Sequence, residues 1–422
     1  MIIKYDNKAV KYTNKWVSIG GITPPPVPTV YSVYTLDSTG GSVSAVPNSG
    51  ISGTEVTLSN IPDTNYTFSS YSVTGATLKN TNQFDIGNSD VYVRGNFTNS
   101  DPYNPLGLPP YTIRLKYKDG VTPSFAHGTG VQVSQSPNIW DLTYENSSWQ
   151  YMLYDHTDLI EVLGANSTGV TNMSNMFHYC TSLTTVPLFD TSKVTKMTSM
   201  LHDCRSLTTV PLFDTSNATE MNGTFYGCYS LTTVPLFDTS NATDISSMLY
   251  DCGSLTTVPL FDTSNVTNMR GIFCGCRSLT TVPLFNTSNV TDMQYMFSQC
   301  WSLTSVPLFD TSNVTNMHVM LSDCRSLTTV PLFDTSNVTN ISNMLYGCSS
   351  LTTVPLFNTS KVTDMQYMLY NCINVESGAL ALYQQASTQT NPPTEHTFAF
   401  RNCGRDTVTG AAELEQIPSD WK

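Results

Sequence analysis

The chain is 422 residues long and carries 19 Lys and Arg against 32 Asp and Glu, a formal charge of −13, with only 12% of residues charged. That length accommodates about two to four domains, and the low charge leaves a surface built of Thr, Ser, Asn and Gly. No basic run offers the phosphate-neutralising patch that nucleic-acid binding needs. No segment is apolar for long enough to span a bilayer, so neither a nucleic-acid partner nor membrane insertion is expected.

Residues 1–22 alternate apolar side chains with Lys and Asn and lack the continuous apolar stretch of a secretory signal. The chain is therefore expected to stay in the cytoplasm of the cell that makes it, and to reach the outside by lysis as part of a virus particle. Ile2, Tyr5, Tyr12 and Trp16 are the candidate anchoring residues of this leader. Thr23-Pro24-Pro25-Pro26-Val27-Pro28, within a linker over 23–29, is a stiff extended spacer by composition. An anchor peptide held off the body is the functional reading, and a disordered tail is the plain alternative.

Short alternating runs fill residues 30–98, among them Tyr31-Ser32-Val33-Tyr34, Thr54-Glu55-Val56-Thr57-Leu58 and Val91-Tyr92-Val93, and they predict a small all-β unit. Gly41-Ser42-Val43-Ser44, Gly53-Thr54-Glu55-Val56-Thr57-Leu58, Asn65-Tyr66-Thr67-Phe68 and Asp90-Val91-Tyr92-Val93-Arg94-Gly95-Asn96-Phe97 resemble the internalin B-repeat family, with Tyr71 where that family usually has Trp. The resemblance implies a β-grasp-like module used as a spacer in surface proteins. A Pro- and Asn-rich linker follows over 99–110. Residues 111–167 then offer a strand from Tyr111, a Gly-rich loop and a helix around 147–154, expected to cap the array that begins next.

From 168 to 375 the text S-L-T-T-V-P-L-F-[DN]-T-S returns every 24 residues, and with it nine cysteines: Cys180, Cys204, Cys228, Cys252, Cys276, Cys300, Cys324, Cys348 and Cys372. Such a period predicts a solenoid whose units bury their apolar faces against one another. Met173, Met176, Phe177 and Cys180 fall at helical spacing, and Leu183, Val186 and Leu188 have leucine-rich-repeat strand spacing, with Val170 completing the inward set. At about 4.8 Å per stacked strand, nine coils would make a slab about 43 Å long. Pro187 and its equivalents interrupt that strand, because proline cannot donate to a ladder.

A disulfide framework is one reading of eleven cysteines; the odd count of nine and their one-per-coil placement favour a ladder of buried free thiols. Cys274 stands in a column otherwise filled by His, Tyr or Ser and is expected to be exposed. The Asp column (Asp190, Asp214, Asp238, Asp262, Asp310, Asp334) invites calcium, but Asn286 and Asn358 share it, and Asn keeps the acceptor oxygen without the charge. A turn or cap hydrogen bond fits better than metal. No metal or cofactor is expected.

Val266-Thr267-Asn268-Met269 and Val314-Thr315-Asn316-Met317, with the Cys and Leu that follow, closely resemble the BspA-like leucine-rich repeat family in its mycoplasma-type surface-protein branch. That resemblance implies a right-handed solenoid with a parallel sheet on one face, and adhesion to host surfaces. The tail over 376–422 has a helix-forming stretch (Ala379-Leu380-Ala381-Leu382-Tyr383) and reads as a C-terminal cap. The whole arrangement is similar to proteins of crAss-like gut phages, which implies a virion fibre or decoration protein. Fibres of this kind are commonly homotrimers, although no trimerising heptad is visible.

Three columns vary within the otherwise constant array. Two before each Cys stand His178, His202, Tyr226, Tyr250, Cys274, Ser298, Ser322, Tyr346 and Tyr370; one after it stand Thr181, Arg205, Tyr229, Gly253, Arg277, Trp301, Arg325, Ser349 and Ile373. A third column holds Arg270, Gln294, His318 and Gln366, with Tyr295 and Tyr367 next to it. Aromatic faces and guanidinium forks suit glycan or protein recognition. The candidate ligand-binding residues are therefore Tyr226, Tyr229, Tyr250, Arg270, Arg277, Tyr295, Trp301, Arg325, Tyr346, Tyr367 and Tyr370, with Arg277, Trp301 and Arg325 aligned over three coils; neutral drift on a solvated face is the alternative. His178 and His202 should stack as solvated side chains, two histidines being too few for a metal site.

No catalytic constellation appears, so no enzymatic activity is expected. The expected fold is multidomain and mainly β with short helices: a leucine-rich-repeat solenoid of 24-residue coils preceded by a small β-grasp-like module. The expected function is structural and adhesive, on the surface of a phage particle. Residues 1–22 would hold other virion proteins, and the array would bind a bacterial surface glycan or mucin. A bacterial cell-surface adhesin is the alternative, and a polysaccharide-degrading tailspike a third.

Overall fold

The computed structural model describes residues 9–12, 15–18, 28–36, 38, 41–62, 66–99, 104, 106 and 108–422, and its chain contacts divide it into two units, Met1–Ser100 and Asp101–Lys422. Ile2 and Tyr5 lie outside the described residues. Tyr12 and Trp16 fall in a two-stranded antiparallel pair, β1 (Ala9–Tyr12) and β2 (Lys15–Ser18).

The rest of the first unit is two sheets. β3 (Val30–Thr35), β5 (Ser49–Ile51), β7 (Tyr66–Thr74) and β9 (Val91–Asn99) make one, in the order β5-β3-β9-β7. Its β3–β9 pair is parallel. β4 (Gly41–Val46), β6 (Glu55–Pro62) and β8 (Gln83–Asp85) make the other, entirely antiparallel. Alternation along Glu55-Val56-Thr57-Leu58 sends Val56 and Leu58 inward, where they meet Val33, Phe84, Ile86, Val91 and Val93. Tyr71 joins this core as an aromatic whose hydroxyl accepts from Asn60 Nδ2 at 3.0 Å.

The second unit opens with four antiparallel strands, β10 (Thr112–Tyr117), β11 (Thr129–Gln135), β12 (Asn138–Thr143) and β13 (Leu159–Asn166), in the order β11-β12-β10-β13. Arg114 grips Asp141 through two 2.7 Å hydrogen bonds across β10 and β12. Ile113, Leu115 and Leu142 from this sheet share one hydrophobic core with the repeats that follow.

Between residues 168 and 378 the 24-residue coils stack in register through single parallel bridges, from Asn172–Lys196 to Asn340–Asp364, with no strand of ordinary length. The parallel sheet implied by the family resemblance is thus reduced to one bridged residue per coil along that column. Thr195, Thr219, Thr267, Thr291, Thr315, Thr339 and Thr363 each donate a backbone N–H to the Thr carbonyl one coil earlier, at 2.8–3.1 Å.

The Met-x-x-Met-Phe-x-x-Cys segment is a pair of consecutive turns, not the short helix expected from its spacing. Met176 N–H bonds Met173 O and Cys180 N–H bonds Phe177 O, while Asn175, Phe177 and Tyr179 donate instead to Thr198, Met200 and His202 of the next coil. Asn175 and Tyr179 have φ of +56° and +63°, at the third position of each turn, where a type II turn requires positive φ. That conformation breaks helical continuity yet still points Met173, Met176, Phe177 and Cys180 inward, all 0% exposed. Residues 147–154 do the same: Tyr151 and Asp155 are left-handed, and Trp149, Met152 and Leu153 occupy the Met173, Met176 and Phe177 columns. The helix expected there is a further coil edge.

The Val-Pro-Leu-Phe segment also departs from the leucine-rich-repeat reading. Phe213, Phe237, Phe261, Phe285, Phe309, Phe333 and Phe357 each donate N–H to the carbonyl of the proline two residues earlier, at 2.9–3.1 Å. This tight turn needs no proline N–H, and it accounts for a proline in every coil. In the later coils the preceding leucine lies outward, Leu308 being 62% exposed whereas Phe309 is buried; in the earlier coils Leu188, Leu212, Leu236 and Leu260 stay half-buried against the core. The Phe side chains stack along the core, Phe189 on Phe213 at 5.8 Å and Phe285 on Phe309 at 6.5 Å.

The Asp-Thr-Ser-Asn segment is held by side-chain hydrogen bonds. Asp238 Oδ1 accepts from the N–H and hydroxyl of Ser240, the Asx turn that also closes around Asn286 and Ser288. Buried Thr239 donates its hydroxyl to the Asp262 carbonyl of the next coil, and Asn241 Nδ2 donates to Ser216 O of the preceding one. Among the described residues no group of His, Cys, Asp and Glu is placed to hold a metal ion.

After Cys372, α1 (Ala379–Thr388) is inserted before one more coil edge, in which Met365, Tyr367 and Leu369 donate to Glu395, Thr397 and Ala399. Cys403 therefore falls in the cysteine column although its sequence spacing does not show it. α2 (Val408–Gln416), capped by the Thr407 side chain accepting from Gly410 N–H, follows.

Candidate functional site

The turn-bearing edge of the coils carries all three variable columns. In the first, rings lie face to face: Tyr154 on His178 at 4.8 Å, His178 on His202 at 4.2 Å, His202 on Tyr226 at 4.3 Å and Tyr226 on Tyr250 at 4.5 Å. Tyr346 and Tyr370 resume the stack at 5.1 Å. Between the two runs stand Cys274, Ser298 and Ser322. The coils are close enough that a small side chain here is covered by its neighbours, so Cys274 is buried, not exposed as expected. Burial pushes its thiol up to about 11, with Tyr250 and Ser298 beside it in the column.

His178 and His202 are not the solvated side chains expected. Flanking rings cover them, and the Nδ1 atom of each is buried without a hydrogen bond. His202 Nδ1 does lie 3.1 Å from Asp203 Oδ2. Burial, reinforced by neighbouring His178, lowers His202 to about 4; burial lowers His178 as well.

In the second column Trp301 is held between two guanidinium groups, with Arg277 Cζ 4.6 Å and Arg325 Cζ 5.0 Å from its ring centroid. Arg205 lies over Tyr229 at 5.7 Å. Burial raises the phenols of Tyr226, Tyr229 and Tyr250. In the third column Arg270 covers Tyr295 at 5.4 Å, and the Tyr295 hydroxyl meets His318 Nε2 at 3.2 Å. Tyr367 packs against Tyr370 and Phe398, at 5.7 and 5.6 Å.

Tyr295 and Tyr367 occupy left-handed backbone, φ +57° and +55°, at a column where other coils place Gly223, Gly271, Asn175, Ser199, Ser247, Val319 and Asn343 in the same conformation. An L-residue there costs roughly 1–2 kcal/mol. The structure thus brings the eleven candidate residues to one edge, and adds residues the sequence reading left out. Tyr151, Tyr154 and Tyr179 belong to the same edge; a 24-residue step back from Asn175, His178 and Asp203 would have found them. Arg401 and Phe398 extend it past α1, Arg401 lying over Tyr370 at 5.9 Å and over Phe398 at 4.7 Å.

Comparison with known proteins matches residues 147–258, 254–330 and 327–390 to the profile described as "Mycoplasma protein of unknown function, DUF285". Residues 31–101 match the "Divergent InlB B-repeat domain". No curated protein matches the chain. Among solved structures, the crystal structure of a leucine-rich repeat protein from Eubacterium ventriosum ATCC 27560 at 2.50 Å resolution is similar at 16% identity, over 69% of this chain and 95% of that one, with a TM-score of 0.33.

Proposed function

The chain belongs to the family described as "Mycoplasma protein of unknown function, DUF285", a BspA-like repeat family, and on that premise we propose that it is a non-enzymatic adhesive protein that displays its coil edge to a bacterial surface glycan or mucin. The array acts as a leucine-rich-repeat solenoid, residues 30–98 as a β-grasp-like spacer, and residues 1–22 as the attachment to other virion proteins. The assembly is a fibre or decoration of a crAss-like phage particle, homotrimeric as fibres commonly are.

One observation carries the adhesive reading. The array gathers the stacked rings of Tyr226 and Tyr250 and the Arg277–Trp301–Arg325 stack on one turn-bearing edge, flat faces and planar donors that suit recognition of another surface. Binding of purified protein to whole bacteria and to mucin, compared with the Arg277→Ala/Trp301→Ala variant, tests it; equal binding by a folded variant would return the variable columns to drift.

Family membership also favours a second reading, a bacterial cell-surface adhesin. Mass spectrometry of purified particles and of the bacterial envelope separates the two. A signal peptide or lipoprotein cysteine encoded upstream of Met1 would sink the virion reading.

A further inference from the structure

Trp301 carries a guanidinium group on each side of its ring while remaining 37% exposed. Arg277 lies on one side of the indole and Arg325 on the other, so the surface a neutral sugar ring would stack upon is already taken. What the triad offers to solvent is its pair of guanidinium forks. Their positions are fixed by the ring quadrupole and by the indole edge between them, so less rotamer freedom is lost when a ligand arrives.

The charges around the triad leave these forks open. Arg277 has no carboxylate at ion-pair distance among the described residues, and Arg325 meets Asp323 only through Nε, at 3.3 Å. Asp251 is the other carboxylate that feels Arg277. All four arginines between 168 and 375 (Arg205, Arg270, Arg277 and Arg325) stand in the variable columns, in a chain whose net charge is −13. That distribution concentrates the array's guanidinium groups on one edge of an acidic protein.

We propose that Arg277, Trp301 and Arg325 form a receptor for anionic groups, carboxylate or sulfate, borne on a polysaccharide chain. The two forks sit two coil spacings apart, each about 4.8 Å, so a single small anion engages one of them and a polymer engages both. Planar guanidinium groups pair with carboxylate or sulfate oxygens through two parallel hydrogen bonds. Linked anions gain avidity that free ions lack. This inference rests on the adhesive reading above and names the ligand class of the same edge.

The test is binding of the full chain to immobilised dextran sulfate, polygalacturonate and neutral dextran, with sodium sulfate and the single strand poly(dT) as competitors. Binding to either or both anionic polymers, none to neutral dextran, and weak competition by sulfate are expected; the two anionic arms tell sulfate from carboxylate. Arg277→Gln and Arg325→Gln should each weaken polymer binding about tenfold, the loss of one charge-assisted contact. Arg277→Lys/Arg325→Lys keeps the charge but loses the planar fork and should fall between.

Equal binding to neutral dextran overturns the proposal, as does wild-type affinity in an Arg277→Gln/Arg325→Gln variant with an unchanged melting curve. Competition by poly(dT) as strong as by free dextran sulfate overturns the polysaccharide assignment. If the chain adheres to mucin and no anionic polymer competes, this inference fails and the adhesive reading stands. If the polymers bind at the triad and no cell or mucin surface does, the site stands and the adhesive reading fails.

Discussion

The Cys276 thiol donates to the Leu249 carbonyl at 3.2 Å, reaching back across the interface between two coils. The same bond recurs in every coil from Cys180–Leu153 to Cys372–Leu345 at 3.0–3.2 Å. It adds a second donor to a buried carbonyl that already accepts the turn's own N–H, Cys252 N–H to Leu249 O at 3.2 Å, and a side chain as small as Cys fits the gap. All eleven cysteines are free and buried, and burial pushes the ladder thiols up. Native protein at pH 8 should therefore resist Ellman's reagent, while denatured protein releases the colour of eleven thiols. Rapid labelling of two or more thiols in the folded state would break this account. Cys276→Ala should cost about 1–3 kcal/mol in chemical unfolding, for the lost bond and a small cavity.

Leu308 and Phe309 test the outward swing after the proline. Phe309→Ala should destabilise by about 3–5 kcal/mol, as buried phenylalanines do. Leu308→Ser should stay within about 0.5 kcal/mol of wild type. Comparable losses for the two, measured by urea unfolding, would mean that the leucine packs inside.

Val319 has φ +59°, a conformation especially unfavourable for a β-branched residue. Asn175 and Asn343 hold the same column, and asparagine tolerates it. Val319→Asn should raise stability by about 1 kcal/mol, read as an upward shift of the melting temperature. A lower melting temperature would show that packing of the valine outweighs its strain.

The histidine stack makes stability depend on pH. Burial beside His178 holds His202 at about 4, against 6.5 for an ordinary imidazole. Below about pH 6.5 the unfolded chain takes up a proton that the folded chain refuses until about pH 4. Stability is thus fully present above 6.5 and drains away on acidification through that window, by on the order of 2–3 kcal/mol. Tyrosine already fills this column at Tyr226 and Tyr250. His178→Tyr/His202→Tyr should therefore fold and lose less stability than wild type between pH 7.5 and 4.5; equal losses would place the titration elsewhere.

Periodicity alone conveyed the coil length, the inward thiols and the alignment of Arg277, Trp301 and Arg325, because each follows from a 24-residue step. It did not convey the turn conformation. The i, i+3, i+4, i+7 spacing of Met173 to Cys180 is shared by a helix and by two tandem turns, and only the alternation of N–H partners separates them. Leu188 packs against the core as its spacing suggests, whereas its equivalents Leu284, Leu308, Leu332 and Leu356 are exposed, and the Pro-to-Phe hydrogen bond of those coils leaves no apolar pattern in the text. Cys274 was misread because exposure in a stack depends on its neighbours above and below. Cys403 and Arg401 were hidden by α1, which lengthens the step from Cys372 without disturbing the register of the coils.

That tolerance follows from where the turn donors point. Since every other N–H of a coil edge reaches a main-chain oxygen in its successor, and the side chains that cross the seam (the Cys thiol, the Thr hydroxyl, the Asn amide) recur from coil to coil, one seam is nearly interchangeable with another. Excising or duplicating one whole repeat would reseal the stack, whereas removing part of one would leave donors facing the wrong partners. Array length is therefore open to change by recombination between its near-identical repeats, and each such event deals a new sequence of rings and guanidinium groups along the displayed edge.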